Sequence, residues 1–176
     1  MSDFAEMSAP GLLMIERLLP GPLERVWDYL IDPELRGKWF AAGVIEPQVG
    51  GRATFEFDHD EISDLPPPEK YKDDCTATLE NRVTKYEPPR LLGFTWMEDE
   101  APNSEVTITL TEEGENVRLR LVHERLDGAA DATIGMFAGW HGHLDIMADL
   151  VNGREPRDFW EHHMKLEEVY RERLSS

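Results

Sequence analysis

From Asp131 to Gly153 the apolar residues Phe137, Trp140, Leu144, Met147 and Val151 recur at alternating steps of three and four. That is the spacing of one face of an α-helix. Gly153 stands where a left-handed C-cap belongs, and Pro156 follows as a stop. A helix this long with one strongly apolar face needs a broad surface to lie on, and the segments before it read as strands that supply one.

The start, residues 1–10, is mixed and ends in Ala9-Pro10-Gly11, so a frayed end is expected. Leu12 to Leu19 fits a first strand, broken by Pro20-Gly21-Pro22. Pro22 suits the first turn of a helix whose apolar face is Leu23, Val26, Trp27, Leu30 and Ile31. Asp32-Pro33-Glu34 restarts the chain as N-cap and first helical position, giving a brief second helix that ends near Gly37-Lys38-Trp39-Phe40.

Beyond Gly50-Gly51 the period becomes two: Ala53, Phe55 and Phe57 alternate with Arg52, Thr54 and Glu56. Asp58 to Asp74 is acidic, contains Pro66-Pro67-Pro68 and reads as a long surface loop of the kind that is often either a functional lid or disordered. Alternation resumes with Ala77, Leu79 and Val83, then Leu92, Phe94 and Trp96, then Val106, Ile108 and Leu110. After the Glu113–Asn116 turn come Val117, Leu119 and Leu121. Short strands joined by short turns argue for an antiparallel sheet of six or seven strands, an α+β arrangement. After Pro156 one more helix is expected, capped by Asp158 with Glu161 and carrying Phe159, Leu166, Tyr170 and Leu174 on one side.

The formal net charge of −18 argues against nucleic acid as a partner, because phosphate neutralisation needs surplus Lys and Arg. It argues equally against anionic membrane surfaces. One cysteine, Cys75, leaves no internal disulfide and no cysteine zinc cluster. No run approaches the roughly 20 apolar residues of a membrane span, and the N-terminus carries Asp3 and Glu6, so the expectation is cytoplasmic.

The order strand, two short helices, a run of strands and a long helix resembles the START-like (Bet v 1-like, SRPBCC) superfamily with its helix-grip fold. Within it, the chain is most similar to the Hsp90-ATPase-activator-like (AHSA1-type) family. The residues that carry the resemblance are Val26-Trp27-Asp28, Asp32-Pro33 with Trp39, Val49-Gly50-Gly51-Arg52, Pro88-Pro89-Arg90-Leu91 with Phe94-Thr95-Trp96, Val106 to Leu110, and Gly139-Trp140 with Leu144. The resemblance implies a curved antiparallel sheet wrapped around the long helix, a domain over residues 1–154 and a helical extension over 155–176 packed on it. The Asp58–Asp74 loop is long for the family, and the helix after Pro156 lies outside its usual core.

A sheet gripping a helix leaves a gap in which apolar ligands bind. The expected lining is Trp39, Phe55, Phe57, Leu79, Phe94, Trp96, Ile108, Phe137, Trp140 and Leu144, with Asn81 and His123 as polar anchors. The same aromatics also serve as core, since a cavity wall is core on its back side. His141 and Asp145 share a helix face while His143 points elsewhere, and two ligands make a poor zinc site. Asp58-His59-Asp60-Glu61 lacks the spaced ligands and glycine of a calcium loop. No phosphate-gripping loop, nucleophile elbow or catalytic constellation is visible. The expectation is therefore a protein that binds a hydrophobic or aromatic small molecule, with neither metal nor cofactor and without an assigned catalytic residue. A chaperone-associated interaction protein and a cavity enzyme using His123 stand as alternatives, and a homodimer formed through the last helix stays open.

Overall fold

The computed structural model describes residues 3–97, 104–126 and 130–175. Seven strands form one curved, fully antiparallel sheet: β1 (Glu6–Ala9), β2 (Leu12–Pro20), β3 (Arg52–Asp58), β4 (Thr76–Glu87), β5 (Leu91–Trp96), β6 (Ser104–Glu113) and β7 (Asn116–Glu124). Their spatial order is β1-β2-β7-β6-β5-β4-β3. Helices α1 (Leu23–Ile31) and α2 (Pro33–Gly37) join β2 to the far edge, and α3 (Ala130–Val151) and α4 (Phe159–Leu174) complete the chain. This is the expected α+β helix-grip architecture.

The strands bury the alternating residues that the period of two marks out. Leu13, Ile15 and Leu19 of β2, Val117, Leu119 and Leu121 of β7, and Val106, Ile108 and Leu110 of β6 are all at most 3% exposed. Their partners across the ladder, such as Ile15 with Leu121 and Leu110 with Leu119, put these side chains on one inner face. The outer edge of β3 is covered in part by bridges from Ala42 and Ile45, which removes some of the exposed backbone an edge strand presents.

Helix ends follow the caps. The Asp32 carboxylate accepts from the amides of Glu34 and Leu35, and Asp158 accepts from Glu161. Gly153 has φ +69°, the left-handed conformation a C-cap requires, and the amide of Arg154 returns to the carbonyl of Asp149. Helix α3 is buried on more than its Phe137–Val151 stripe, because α4 covers a second side: His141 and Asp149 are also buried.

Two expectations need correction. From residue 3 on the start is not frayed, residues 1 and 2 lying outside the described residues: residues 6–9 form β1 against β2, Ala5 is buried with its amide on the Tyr170 hydroxyl at 2.7 Å, and Phe4 packs edge-on against Tyr170. That anchor comes from α4, more than 160 positions away, so local composition does not reveal it. Leu174 does not join the apolar side of α4: it is 43% exposed, in a last turn whose residues 171–174 are all exposed.

One charged residue carries the connection between α2 and β3. Arg36 is 2% exposed and donates to the carbonyls of Leu30, Ile31, Ala41, Ala42 and Gly43, with its guanidinium over the Phe55 ring. Burial pulls its pKa down to about 10, and the carbonyls replace the water that the charge has lost. The segment that places Trp39 and Phe40 is thereby fixed. Among the described residues no helix is long and apolar enough to cross a membrane.

Candidate functional site

Between the sheet, α3, the loop after β3 and α4 lies a cavity of about 550 Å³ that opens to solvent. The sheet contributes Phe57, Ala77, Leu79 and Trp96, the α2–β3 connection contributes Phe40, and α3 contributes Ala132, Gly135, Met136, Gly139, Trp140 and His143. The loop adds His59 and Tyr71, and α4 closes the far side with Phe159, Trp160 and His163. Lys70, Asp74 and Asp131 are the exposed, charged residues of the lining.

The space exists because α3 presents small residues there. A Cβ added at Gly139 would meet nothing within 4 Å, whereas one at Gly135 would reach the Tyr71 hydroxyl at 2.8 Å. Glycine inside a helix costs about 1 kcal/mol relative to alanine. Gly139 therefore carries a stability cost at a position whose only visible consequence is open volume.

Of the twelve residues expected from the sequence, Phe57, Leu79, Trp96 and Trp140 line this cavity. Trp39, Phe55, Phe94 and Ile108 surround a separate small void of about 10 Å³ in the core instead. Phe40, just past the second helix, stacks between Trp39 (5.4 Å) and Trp140 (5.1 Å) and is the ring that faces the cavity. Phe137 meets Tyr170 edge-on at 5.4 Å and Leu144 is 1% exposed, so both pack away from the opening. Asn81 accepts from the amide of Met97 at 2.9 Å while its Nδ2 is buried without a partner among the described residues.

His123 is engaged at both nitrogens. The Trp140 indole donates to Nδ1 at 3.0 Å, which fixes that nitrogen as the lone pair. Nε2 then carries the hydrogen toward Ser104 Oγ at 3.0 Å, and Ser104 in turn reaches the Trp96 carbonyl at 3.2 Å. The ring is fully buried, and burial pushes its pKa down to about 3. Its place in the structure is to hold two wall tryptophans, and it is not itself on the cavity wall.

The loop and α4 are joined through Glu167. Its carboxylate, 2% exposed, takes Lys70 and Tyr71 from the loop and His163 Nε2 at 3.1 Å. These donors hold it ionised despite the opposing effect of burial. Ser63 and the amide of Asp64 meet the Asp158 cap at 2.8 and 2.7 Å, and Phe159 donates its amide to the Ile62 carbonyl at 3.1 Å. The acidic loop is thus a fixed wall of the cavity.

The opposite face of α3 is charged. Asp145 pairs with Arg17 at 2.7 Å, His141 at 3.2 Å, His162 at 2.8 Å and Arg157 at 3.2 Å. His141, Asp145 and His162 bring ligand-type atoms within 4.8 Å of one another. The third group, His162, comes from α4 and is invisible from helix spacing in α3 alone. Two guanidiniums already match the charge of this carboxylate, and the set reads as an ion-pair cluster that pins α3 to β2 and to the α4 connection.

The missed wall residues had a weak signal. Ala132, Gly135 and Gly139 step by three and four along α3, and a stripe of small residues on a helix that must pack marks either a close approach or a gap. Phe159 and His163 share a face at four apart, but which wall they meet depends on the turn at 152–158.

The sequence matches the family model described as Activator of Hsp90 ATPase homolog 1-like protein over residues 20–152. No curated protein matches it. Among solved structures it is similar to a Bordetella parapertussis protein determined by NMR, at 35% identity, covering 98% of this chain and 93% of that one with a TM-score of 0.79. CalU16 from Micromonospora echinospora shares the fold at 20% identity, with 98% and 96% covered and a TM-score of 0.68. A Mesorhizobium loti protein does so at 23% identity, with 82% and 98% covered and a TM-score of 0.65. Matched over most of its length, and similar from end to end to the Bordetella protein, this chain belongs to the AHSA1 (Activator of Hsp90 ATPase homolog 1-like) family.

Proposed function

We propose that the protein binds an apolar or aromatic small molecule in the cavity between the sheet, α3 and α4. One observation carries the reading: an open space of about 550 Å³ walled by Phe40, Phe57, Trp96, Trp140, Phe159 and Trp160, kept clear by Gly139. Such a volume and lining suit a drug-sized ligand. The family is one of ligand-binding domains in the general sense, which agrees with the reading without naming a ligand.

The test is native mass spectrometry on the purified protein and on Gly139→Leu. The expected result is an added mass, or binding of a hydrophobic dye, that the variant loses by at least tenfold while its unfolding transition is retained. A variant that binds as well as the wild type would sink the cavity reading. The same spectrum gives the subunit number. The family description also raises a chaperone partner, and a pull-down with Hsp90 checks it separately.

A further inference from the structure

The cavity wall holds hydrogen-bonding capacity that an apolar ligand would not use, and two imidazoles carry a part of it that is all acceptor. His59 Nδ1 lies 3.0 Å from the carbonyl of Cys75, and His143 Nδ1 lies 2.7 Å from the carbonyl of Trp39. A carbonyl only accepts, so each Nδ1 carries the hydrogen. Burial holds both imidazoles below their ordinary pKa, His143 strongly so, and each is neutral at pH 7. Each Nε2 is then a bare lone pair.

Neither Nε2 has a hydrogen-bond partner among the described residues. Both rings line the cavity, are at least nine-tenths buried, and stand with centroids 5.7 Å apart. Their surroundings are aromatic: Phe57 stacks on His59 at 5.9 Å, and Phe159 stacks on His143 at 4.3 Å. Two acceptors on one stretch of an oily wall do nothing for a hydrocarbon. They recognise a ligand that brings hydroxyl hydrogens to that wall, because a hydroxyl taken out of water without an acceptor is penalised.

We propose that the ligand is a flat aromatic molecule bearing phenolic hydroxyl groups, which donate to Nε2 of His59 and of His143. This rests on the cavity reading above and adds the polar half of the ligand's chemistry. A hydroxyl seated there donates to a weakly basic imidazole and keeps its proton, so the two histidines act in recognition. The backbone carbonyls of Trp39 and Cys75 fix the tautomers and thereby the preference for donors over acceptors.

The test compares 2,7-dihydroxynaphthalene with its dimethyl ether by titration calorimetry at pH 7. Two net hydrogen bonds predict a preference of at least about fivefold for the diol. His59→Phe and His143→Phe, which keep an aromatic ring at each place, are expected to bring that ratio toward one while the ether still binds. Equal binding of diol and ether to the wild type would overturn the donor reading and leave the cavity reading intact. Failure of both probes to bind would overturn both. A diol preference that persists in both folded variants would remove the two histidines from the assignment.

Discussion

Helix α3 has two opposite characters across its width. Toward the cavity it shows Ala132, Gly135, Gly139 and the neutral His143. Toward β2 and the α4 connection it shows Asp145 and Asp149, held by Arg17, Arg154 and Arg157. The first face leaves volume unfilled and glycine inside a helix, both of which lower stability. The second gathers paired charges and buried rings such as Phe137 on Tyr170. The difference teaches that a helix need not be uniformly well packed to be well placed: one side fixes its position so that the other can stay open.

The contrast breaks most severely at Asp145. Asp145→Asn leaves Arg17, 8% exposed, without its counter-charge, and removal of one partner of a buried pair costs about 3–5 kcal/mol. The denaturation midpoint in urea at pH 7 is expected to fall accordingly, with ligand affinity in the surviving folded fraction unchanged. An unchanged midpoint would mean that the charged face does not anchor the helix. The same group sets an acid limit: its partners depress the folded carboxyl below the ordinary 3.8, so this stabilisation is present above that value and is lost as pH falls below it.

The histidines sharpen the comparison at milder pH. His123 and His163 are held to about 3 and about 4 in the folded protein, below the 6.5 of an exposed imidazole. The stability of these neutral forms is complete above pH 6.5 and declines as pH falls toward the folded values, because the unfolded chain takes up the protons first. Each contributes a slope of about 1.4 kcal/mol per pH unit in that window. His123→Gln is expected to flatten the measured stability curve between pH 6 and pH 4 by that amount. A slope unaltered by the substitution would show that the ring is protonated in the fold.

The smallest effect sits on the open face. Gly139→Ala adds a methyl group where nothing lies within 4 Å, and is expected to raise stability by about 0.5–1 kcal/mol in thermal unfolding. A loss of stability would mean that the position is packed.

Most of the fold was legible because it follows local rules. Alternation in Ala53–Phe57 and Val106–Leu110, the Asp32 and Asp158 caps and the Gly153 stop are each set by neighbours within a few residues. The cavity was legible only in part. Trp39 and Phe40 are adjacent in an irregular stretch, so no period says which ring looks inward, and Arg36 decides it through five carbonyls. His59, Tyr71 and Trp160 reach the wall through contacts between the loop and α4 that span about 95 positions. Those are tertiary facts that spacing does not encode.

Phe159, Trp160 and His163 come from beyond residue 152, where the matched family span ends. One side of the chamber is therefore supplied by a helix that lies past the matched family span. Substitutions confined to these three side chains, with Tyr170, Glu167 and His162 kept as the ties to Ala5, the loop and Asp145, would redraw one side of the chamber while the helix stayed seated. Selectivity in such a protein can then be tuned by a few side chains of its last helix, while the rest of that helix keeps the walls in place.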